Sequence, residues 1–291
     1  MNILALDLGG TNIKSGIILS DGSLTEAREQ PSEGNISGKR LMDNALSVAS
    51  SYSNYDRIGI STTGQVNSKE GRIIFANDNV PGYTGMDVKG YFEYNLGIQT
   101  KVLNDVHAAG LGEAHFGGGR EFDDFLLLTY GTGVGGAIIF NRNVYKGGFG
   151  AAGEFGHMVV HPGGRNCSCG QEGCYEQYAS TRALVQKAYE YKPCYIDGRT
   201  IFEGRDSWSE EMKGLVSEWI DEVILGLRSL IHIFNSSCII LGGGVMQQSW
   251  IIEEIRSRLP RYINMGHRGV RIMGAKLGNT AGLFGVASLF L

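Results

Sequence analysis

Cys167, Cys169 and Cys174 crowd into residues 167–174, and His157 precedes them in the stretch Gly153–Glu176, GEFGHMVVHPGGRNCSCGQEGCYE. Gly163, Gly164, Gly170 and Gly173 let this backbone turn tightly enough to bring three thiols to one point. Three thiolates and one imidazole make a closed tetrahedral shell of the kind that holds a structural Zn²⁺. The same cysteines could instead be a small apolar packing cluster. A disulfide is the third reading, and the odd local count and the lack of a secretory signal speak against it. Glu154 and Glu176 flank the loop. They are either solvated surface charges or carboxylates, held by a metal-pinned loop, that bind a polyhydroxylated ligand. Cys194 and Cys238 stand apart and are expected to be packed in the protein.

Phosphate chemistry is the second theme. An apolar strand over Ile3–Leu6 meets Asp7 and the turn Gly9-Gly10-Thr11-Asn12, and a strand over Ile13–Leu19 follows. The tip of such a hairpin offers backbone N–H groups and the Thr11 hydroxyl to a phosphate, and Asp7 can hold Mg²⁺ through water. Neither a Walker A motif nor a G-x-G-x-x-G opening a helix is present. The pattern then returns: LALDLGGTNIKSGIIL is echoed by LLLTYGTGVGGAIIF, with Gly131-Thr132-Gly133 at the second tip. Ile58–Gly64 is echoed by Ile239–Gly244, where Gly242-Gly243-Gly244 leaves room for an adenine or ribose against bare backbone. Such repetition marks a duplicated architecture, two α/β lobes that each present a glycine-rich hairpin to a shared cleft.

The elements that must position these groups follow from hydrophobic spacing. Helical periodicity runs over Ile36–Ser51, Met86–Leu96, Val106–His115, Ala183–Tyr189, Lys213–Phe234, Ser249–Leu259 and Leu277–Leu289. The stripe Leu215, Trp219, Val223, Leu227, Leu230, Ile231 and Phe234 is core. Buried strands are expected at Ile58–Ile60, Thr100–Leu103, Phe125–Thr129, Val134–Phe140 and Val270–Met273, with a hairpin arm over Gly71–Asn79. Ser61-Thr62-Thr63-Gly64-Gln65 lies at the carboxyl end of a strand, where open α/β sheets bind ligands. Asp105 sits where a strand hands over to a helix, as a helix N-cap, as a carboxylate facing a cleft, or as both. His107, His115, His161, His232 and His267 read as ordinary packed or surface histidines.

Composition excludes several classes. The 291 residues carry a net charge of −4, with 42% hydrophobic and 19% charged side chains, which is a soluble globular balance without the basic cluster of a nucleic-acid binder. No apolar run is long enough for a bilayer, and Met1 leads straight into a strand without a signal peptide, so a cytoplasmic protein with reduced cysteines is expected. The 44 glycines exceed average usage. The lobe boundary is placed near Phe116-Gly117-Gly118-Gly119.

Taken together these motifs resemble the ROK family, the bacterial sugar kinases and related repressors of the actin-like ATPase superfamily. Asp7-Leu8-Gly9-Gly10-Thr11-Asn12-Ile13-Lys14 is similar to its first phosphate motif, Gly131-Thr132-Gly133-Val134-Gly135-Gly136 to its second, and Leu241-Gly242-Gly243-Gly244-Val245 to its adenosine segment. Asn104-Asp105 resembles the catalytic pair, Glu154-x-Gly156-His157 the sugar and zinc motif, and Cys167-x-Cys169-Gly170-x-x-Gly173-Cys174-x-Glu176 the zinc loop. The resemblance implies a two-lobed actin-like ATPase (ribonuclease H-like) α/β fold. Residues 1–117 with helix 275–291 would form one lobe, and residues 118–274 the other. It implies ATP, Mg²⁺ and structural Zn²⁺, a homodimer or homotetramer, and no nucleic acid or membrane partner. Asp105 would be the general base, and Gly64, Gln65, Asn77, Asn104, Glu154, His157 and Glu176 would bind the sugar, with O6 of a hexose or hexoside as acceptor. Ser61-Thr62-Thr63-Gly64-Gln65 lacks the proline of glucokinase-like members. With Asn77 and Pro81-Gly82-Tyr83 it is closer to the β-glucoside kinase branch, and the cleft is expected to open around Gln65, Asn77 and Tyr83. Glucose and N-acetylhexosamines are the other candidate acceptors. A repressor would need a helix-turn-helix ahead of the first strand, and a non-catalytic sugar binder would lack the base.

Overall fold

The computed structural model describes residues 1–291. Contacts divide the chain into two compact units, residues 1–123 with 138–152 and 279–291, and residues 124–137 with 153–278. In the first unit the order is β1 (Ile3–Leu8), β2 (Asn12–Ile18), β3 (Leu24–Pro31), α1 (Gly38–Ser50), β4 (Arg57–Thr62), β5 (Gln65–Asn67), β6 (Arg72–Phe75), α2 (Val88–Leu96), β7 (Thr100–Asn104) and α3 (Asp105–His115). The chain continues through β8 (Phe125–Tyr130), β9 (Val134–Phe140), β10 (Asn143–Tyr145), α4 (Glu176–Ala179), α5 (Thr181–Tyr191), α6 (Gly198–Glu203), α7 (Glu210–Phe234), β11 (Cys238–Gly242), α8 (Ser249–Arg258), β12 (Arg271–Gly274) and α9 (Ala281–Ser288).

Two five-stranded sheets share one plan, β3-β2-β1-β4-β7 and β10-β9-β8-β11-β12. In the first, β1 and β2 are antiparallel, while β1, β4 and β7 are parallel. In the second, β9 and β10 are antiparallel, while β8, β11 and β12 are parallel. A hairpin followed by parallel strands therefore occurs twice, as the sequence echo requires. The parallel strands read as unbroken apolar runs, and Leu4, Leu6, Ile58, Ile60, Leu128 and Ile240 are sealed from solvent, because helices cover both faces of such sheets. Helix α9 crosses α3 closely: a side chain at Gly285 would collide with the Ala108 carbonyl, and one at Gly112 with that of Ala281.

The units depart from the boundary expected at Gly117. Residues 138–152 belong with the first unit. Arg142 ties this segment to α3 by donating to the Ala114 carbonyl (2.8 Å) and the Arg120 carbonyl (2.9 Å), and His107 Nε2 reaches the Ala152 carbonyl at 2.7 Å. Helix α7 buries Trp219, Val223, Leu227, Leu230 and Ile231 of the expected stripe and widens it with Val216, Ile220 and Ile224, whereas Phe234 at its end is 39% exposed. Its start lies earlier than expected because Ser209 caps it by accepting from Met212 N. Cys194 is exposed, against its expected packing. His161 has a partner, Glu222 at 2.8 Å. No helix is long and apolar enough to cross a membrane.

Candidate active site and metal centre

Asp7 ends a buried strand, where β1 faces β2 in a register that sets it opposite Lys14, with Lys14 opposite Glu29. Its Oδ1 accepts a hydrogen bond from Ser61 Oγ at 2.6 Å. Burial raises the Asp7 pKa, and the Ser61 hydroxyl and the Lys14 charge oppose that rise. The turn that follows is fixed by Gly9 N–H donating to Asn12 O (3.0 Å) and by Ser32 N–H donating to Thr11 O (2.8 Å). Asn12 Nδ2 donates to Glu29 Oε1 at 2.7 Å. Thr11 and Asn12 are exposed, which leaves the tip open to a ligand.

Asn104, not Asp105, caps α3. Its Oδ1 accepts from Val106 N (3.0 Å) and His107 N (3.1 Å). Its amide nitrogen donates to Gly64 O (3.0 Å) and to Asp105 Oδ1 (2.8 Å). Asp105 Oδ1 also accepts from Val106 N (2.8 Å), and the two bonds hold the carboxylate in one orientation at the carboxyl edge of the sheet. Desolvation, then the Asp7 charge, push its pKa up to about 7, against the Val106 N–H and the Asn104 amide, which favour the anion. A carboxylate poised there is half-charged at neutral pH and can take a proton from an alcohol during its transfer. Gly64 carries φ +90°, and a side chain on it would strike Phe75 O.

Gln65 stands opposite Phe75 in the β5–β6 hairpin. Asn77 is exposed, its Oδ1 accepting from Asn79 N at 3.2 Å in a local turn. Tyr83 corrects the expectation that it lines an opening. It is fully buried, bonded through its hydroxyl to Thr62 Oγ1 at 2.8 Å, because its large ring fills the core beside α1 rather than facing solvent.

In the second unit the loop after β10 brings His157, Cys167, Cys169 and Cys174 together, with ligand atoms all within 4.8 Å of one another. Cys167 Sγ lies 3.6 Å from His157 Nδ1, and Cys169 Sγ lies 3.6 Å from Cys174 Sγ. A tetrahedral zinc site has S···S edges of about 3.8 Å and S···N edges of about 3.6 Å, so the donors fit in both type and spacing. Burial and the neighbouring thiols push Cys174 up to about 12, so its thiolate needs a cation beside it. His157 faces two ways: with Nδ1 toward the thiols, its Nε2 lies 4.0 Å from Glu154 Oε2. Glu176 Oε1 accepts from Cys167 Sγ at 3.3 Å and from Gln177 Nε2 at 3.2 Å.

The second hairpin tip adjoins this loop. A side chain at Gly133 would meet the Glu176 carboxylate. Arg182 N–H donates to Gly131 O (3.2 Å), and Thr181 Oγ1 donates to Tyr130 O (3.0 Å), so the start of α5 anchors the tip. Thr132 at the tip is exposed. Beside it opens a cavity of about 780 Å³, lined among others by Thr132, Arg182, Gly198, Phe202, Gly244 and Gln248. Of the three glycines expected to face a nucleoside, only Gly244 lines it. Gly242 completes β11. Gly243, at φ +99°, is bare because a side chain would collide with Tyr130 O. Helix α6, absent from the periodicity reading, forms part of the wall. Its signal was the capping box, in which Asp197 Oδ1 accepts from Thr200 N at 2.7 Å and Asp197 N–H donates to Thr200 Oγ1 at 3.2 Å.

Two sheets of one order, each with a glycine-rich hairpin at its ligand edge, define an actin-like ATPase (ribonuclease H-like) fold. The model of the ROK family matches residues 3–291, and the chain belongs to that family. It is 31% identical to a glucokinase of Streptomyces coelicolor over 98% of this chain and 96% of that one. It is 30% identical to a β-glucoside kinase of Listeria monocytogenes over 100% of this chain and 98% of that one. A crystal structure of a ROK glucokinase from Streptomyces griseus with glucose and AMPPNP superposes with a TM-score of 0.87, at 30% identity and with 99% of both chains covered.

Proposed function

We propose that the chain is an ATP-dependent sugar kinase that transfers the γ-phosphate to a primary hydroxyl, O6, of an aldohexose or its β-glucoside. The observation that carries this is Asp105, oriented by the Asn104 amide and poised with a pKa about 7. Asp105 accepts the proton of the acceptor hydroxyl as the phosphoryl group arrives. Backbone and side-chain donors of Gly9, Gly10, Thr11, Asn12 and Lys14, with Gly131, Thr132 and Gly133, hold the phosphates, and the nucleoside occupies the cavity at Gly244, behind Gly242 and Gly243. Asp7 would hold Mg²⁺ through water, and the ion supplies charge neutralisation for the phosphates. Glu154 and Glu176 accept from the ring hydroxyls, and His157, its Nδ1 turned to the thiols, donates through Nε2–H, with Gly64, Gln65, Asn77 and Asn104 completing the sugar contacts. Zn²⁺ would be held by His157 Nδ1 and the three Sγ atoms, where it fixes the loop that carries those carboxylates.

Once a bound sugar covers them, acceptors of this kind reject analogues that lack a hydroxyl far more strongly than analogues with added bulk. The full-length kinship to both a glucokinase and a β-glucoside kinase supports the pyranose as acceptor. The test is ADP release with ATP and Mg²⁺ over hexoses, N-acetylhexosamines and β-glucosides, with the phosphorylated position read by ³¹P–¹H NMR. Turnover of a glucose-type pyranose at O6 is expected. Phosphate on O1, or ADP release independent of any sugar, would remove the proposal.

A further inference from the structure

A second cavity lies within the first unit, and neither the hairpin tip nor Asp105 lines it. It holds about 300 Å³ and is lined by Lys69, Lys89, Lys101 and Lys146, with Ser68, Gln99, Thr100 and the start of β7. The four ammonium groups come from four separate segments: the turn after β5, the first turn of α2, the first turn of β7's chain and the loop after β10. No aspartate or glutamate lines the cavity.

Elsewhere in the chain the cations find carboxylates. Lys39 lies 2.8 Å from Asp43, Arg40 2.5 Å from Glu33, and Arg258 2.9 Å from Glu254. None of the four cavity lysines has such a partner. Glu93, a nearby acid, accepts from Thr100 N at 3.0 Å instead. Lys101 is fixed in place, donating to the Leu289 carbonyl with its ammonium 4.6 Å from the centre of the Phe290 ring. Lys146 is half-buried. Desolvation, then the Lys101 charge, lower its pKa. The charges of Lys101 and Lys146 oppose one another in a concave site that no acid lines, and an anion bound among the lysines removes that repulsion.

We propose that this cavity is a binding site for a small, multiply charged phosphate anion, separate from the ATP site. Its volume is at the low end of small-molecule sites. It is far smaller than the nucleoside cavity, so it suits inorganic phosphate, pyrophosphate or a monosaccharide phosphate rather than a nucleotide. Ser68 and Gln99 supply neutral donors at its rim, and the ammonium groups supply charge-assisted hydrogen bonds to the phosphoryl oxygens.

The test is calorimetry on the full chain saturated with Mg²⁺ and AMPPNP, titrated in turn with pyrophosphate and with glucose 6-phosphate at about 0.15 M salt. One ion per chain is expected, with affinity falling as salt rises. Lys89→Gln with Lys146→Gln should weaken it at least about tenfold, the loss of one charge-assisted contact, while AMPPNP binding stays unchanged. Lys146→Arg, which keeps the charge, should retain it. Tighter binding of the sugar phosphate assigns the cavity to a phosphomonoester, and the reverse assigns it to an inorganic anion. Binding equal in wild type and double variant, or no binding of either probe below 10 mM (on the order of the weakest specific sites), overturns the proposal.

Discussion

Asp105 concentrates a conflict between stability and chemistry. A base must be charged to work, so kcat should rise with pH through about 7 and level off above it. The same shift acts on folding in the opposite sense. A carboxyl whose folded pKa lies above its unfolded value binds its proton more tightly in the native state. That stabilisation is full below about pH 4 and is lost as pH climbs through about 7. Asp105→Asn keeps the hydrogen bonds at Oδ1 and removes the charge. It should lower turnover by roughly 10²–10⁴-fold, yet raise stability at pH 8, where the wild-type carboxylate is buried as the anion. Turnover and urea midpoints at pH 5 and 8 check both signs; near wild-type turnover would take Asp105 out of the mechanism. Gly133 offers a second residue-scale test. Gly133→Ala pushes its methyl against the Glu176 carboxylate. This should cost roughly 10–100-fold in kcat/KM for the sugar, with a smaller change in the KM for ATP. Equal losses for both substrates would mean the tip, not Glu176, was disturbed.

At the scale of elements, the metal loop is a turn of backbone with little core of its own. Gly170 N–H donates to Cys167 O (3.0 Å), Cys167 N–H to Gln171 O (2.9 Å) and Gly173 N–H to Arg165 O (2.8 Å), and side-chain anchorage comes from Tyr175. That ring is fully buried and its hydroxyl donates to Val223 O at 2.7 Å while meeting Tyr130 Oη at 2.9 Å. One end of the loop is thus fixed on α7 and β8, and the other depends on the bound ion. Purified protein should contain about one zinc per chain. Cys169→Ala, or chelation, should remove the metal and sugar phosphorylation together while the far-ultraviolet spectrum of the helices persists. Full activity in zinc-free protein would exclude a role for the loop in sugar binding.

At the scale of the molecule, one sheet plan is used twice and the two copies carry different tools. The first presents Asp7, Asn104 and Asp105 at its strand ends; the second presents the cluster of His157, Cys167, Cys169 and Cys174 and the cavity beside Thr132. Large apolar side chains remain exposed outside the cores: Phe140 (58%) and Phe149 (91%) in the first unit, Met265 (81%) in the second. Assembly into a dimer or a dimer of dimers is expected. Light scattering should give two or four times 31.6 kDa, and a monomer at micromolar concentration would remove that expectation.

The sequence by itself determined the chemistry. Donor type and spacing at Cys167, Cys169, Cys174 and His157 pointed to a metal site because glycine turns over a short stretch can bring three thiols and an imidazole to one point. The hairpins at Gly9–Asn12 and Gly131–Gly133 declared themselves because alternating turn and apolar residues act over a few positions. The doubled sheet was legible from two echoing segments. Tertiary structure decided what local pattern leaves open. Asn104 and Asp105 are equivalent as caps by propensity. The Gly64 carbonyl, brought from a distant turn, orients the Asn104 amide so that its Oδ1 caps α3 while its Nδ2 holds Asp105 Oδ1. Tyr83 is as polar in sequence as any surface tyrosine, and it is the core beside α1 that buries it. Residues 138–152 join the first unit through Arg142 and His107. The four lysines around the second cavity lie on segments far apart in the chain, and no window along the sequence brings their charges together.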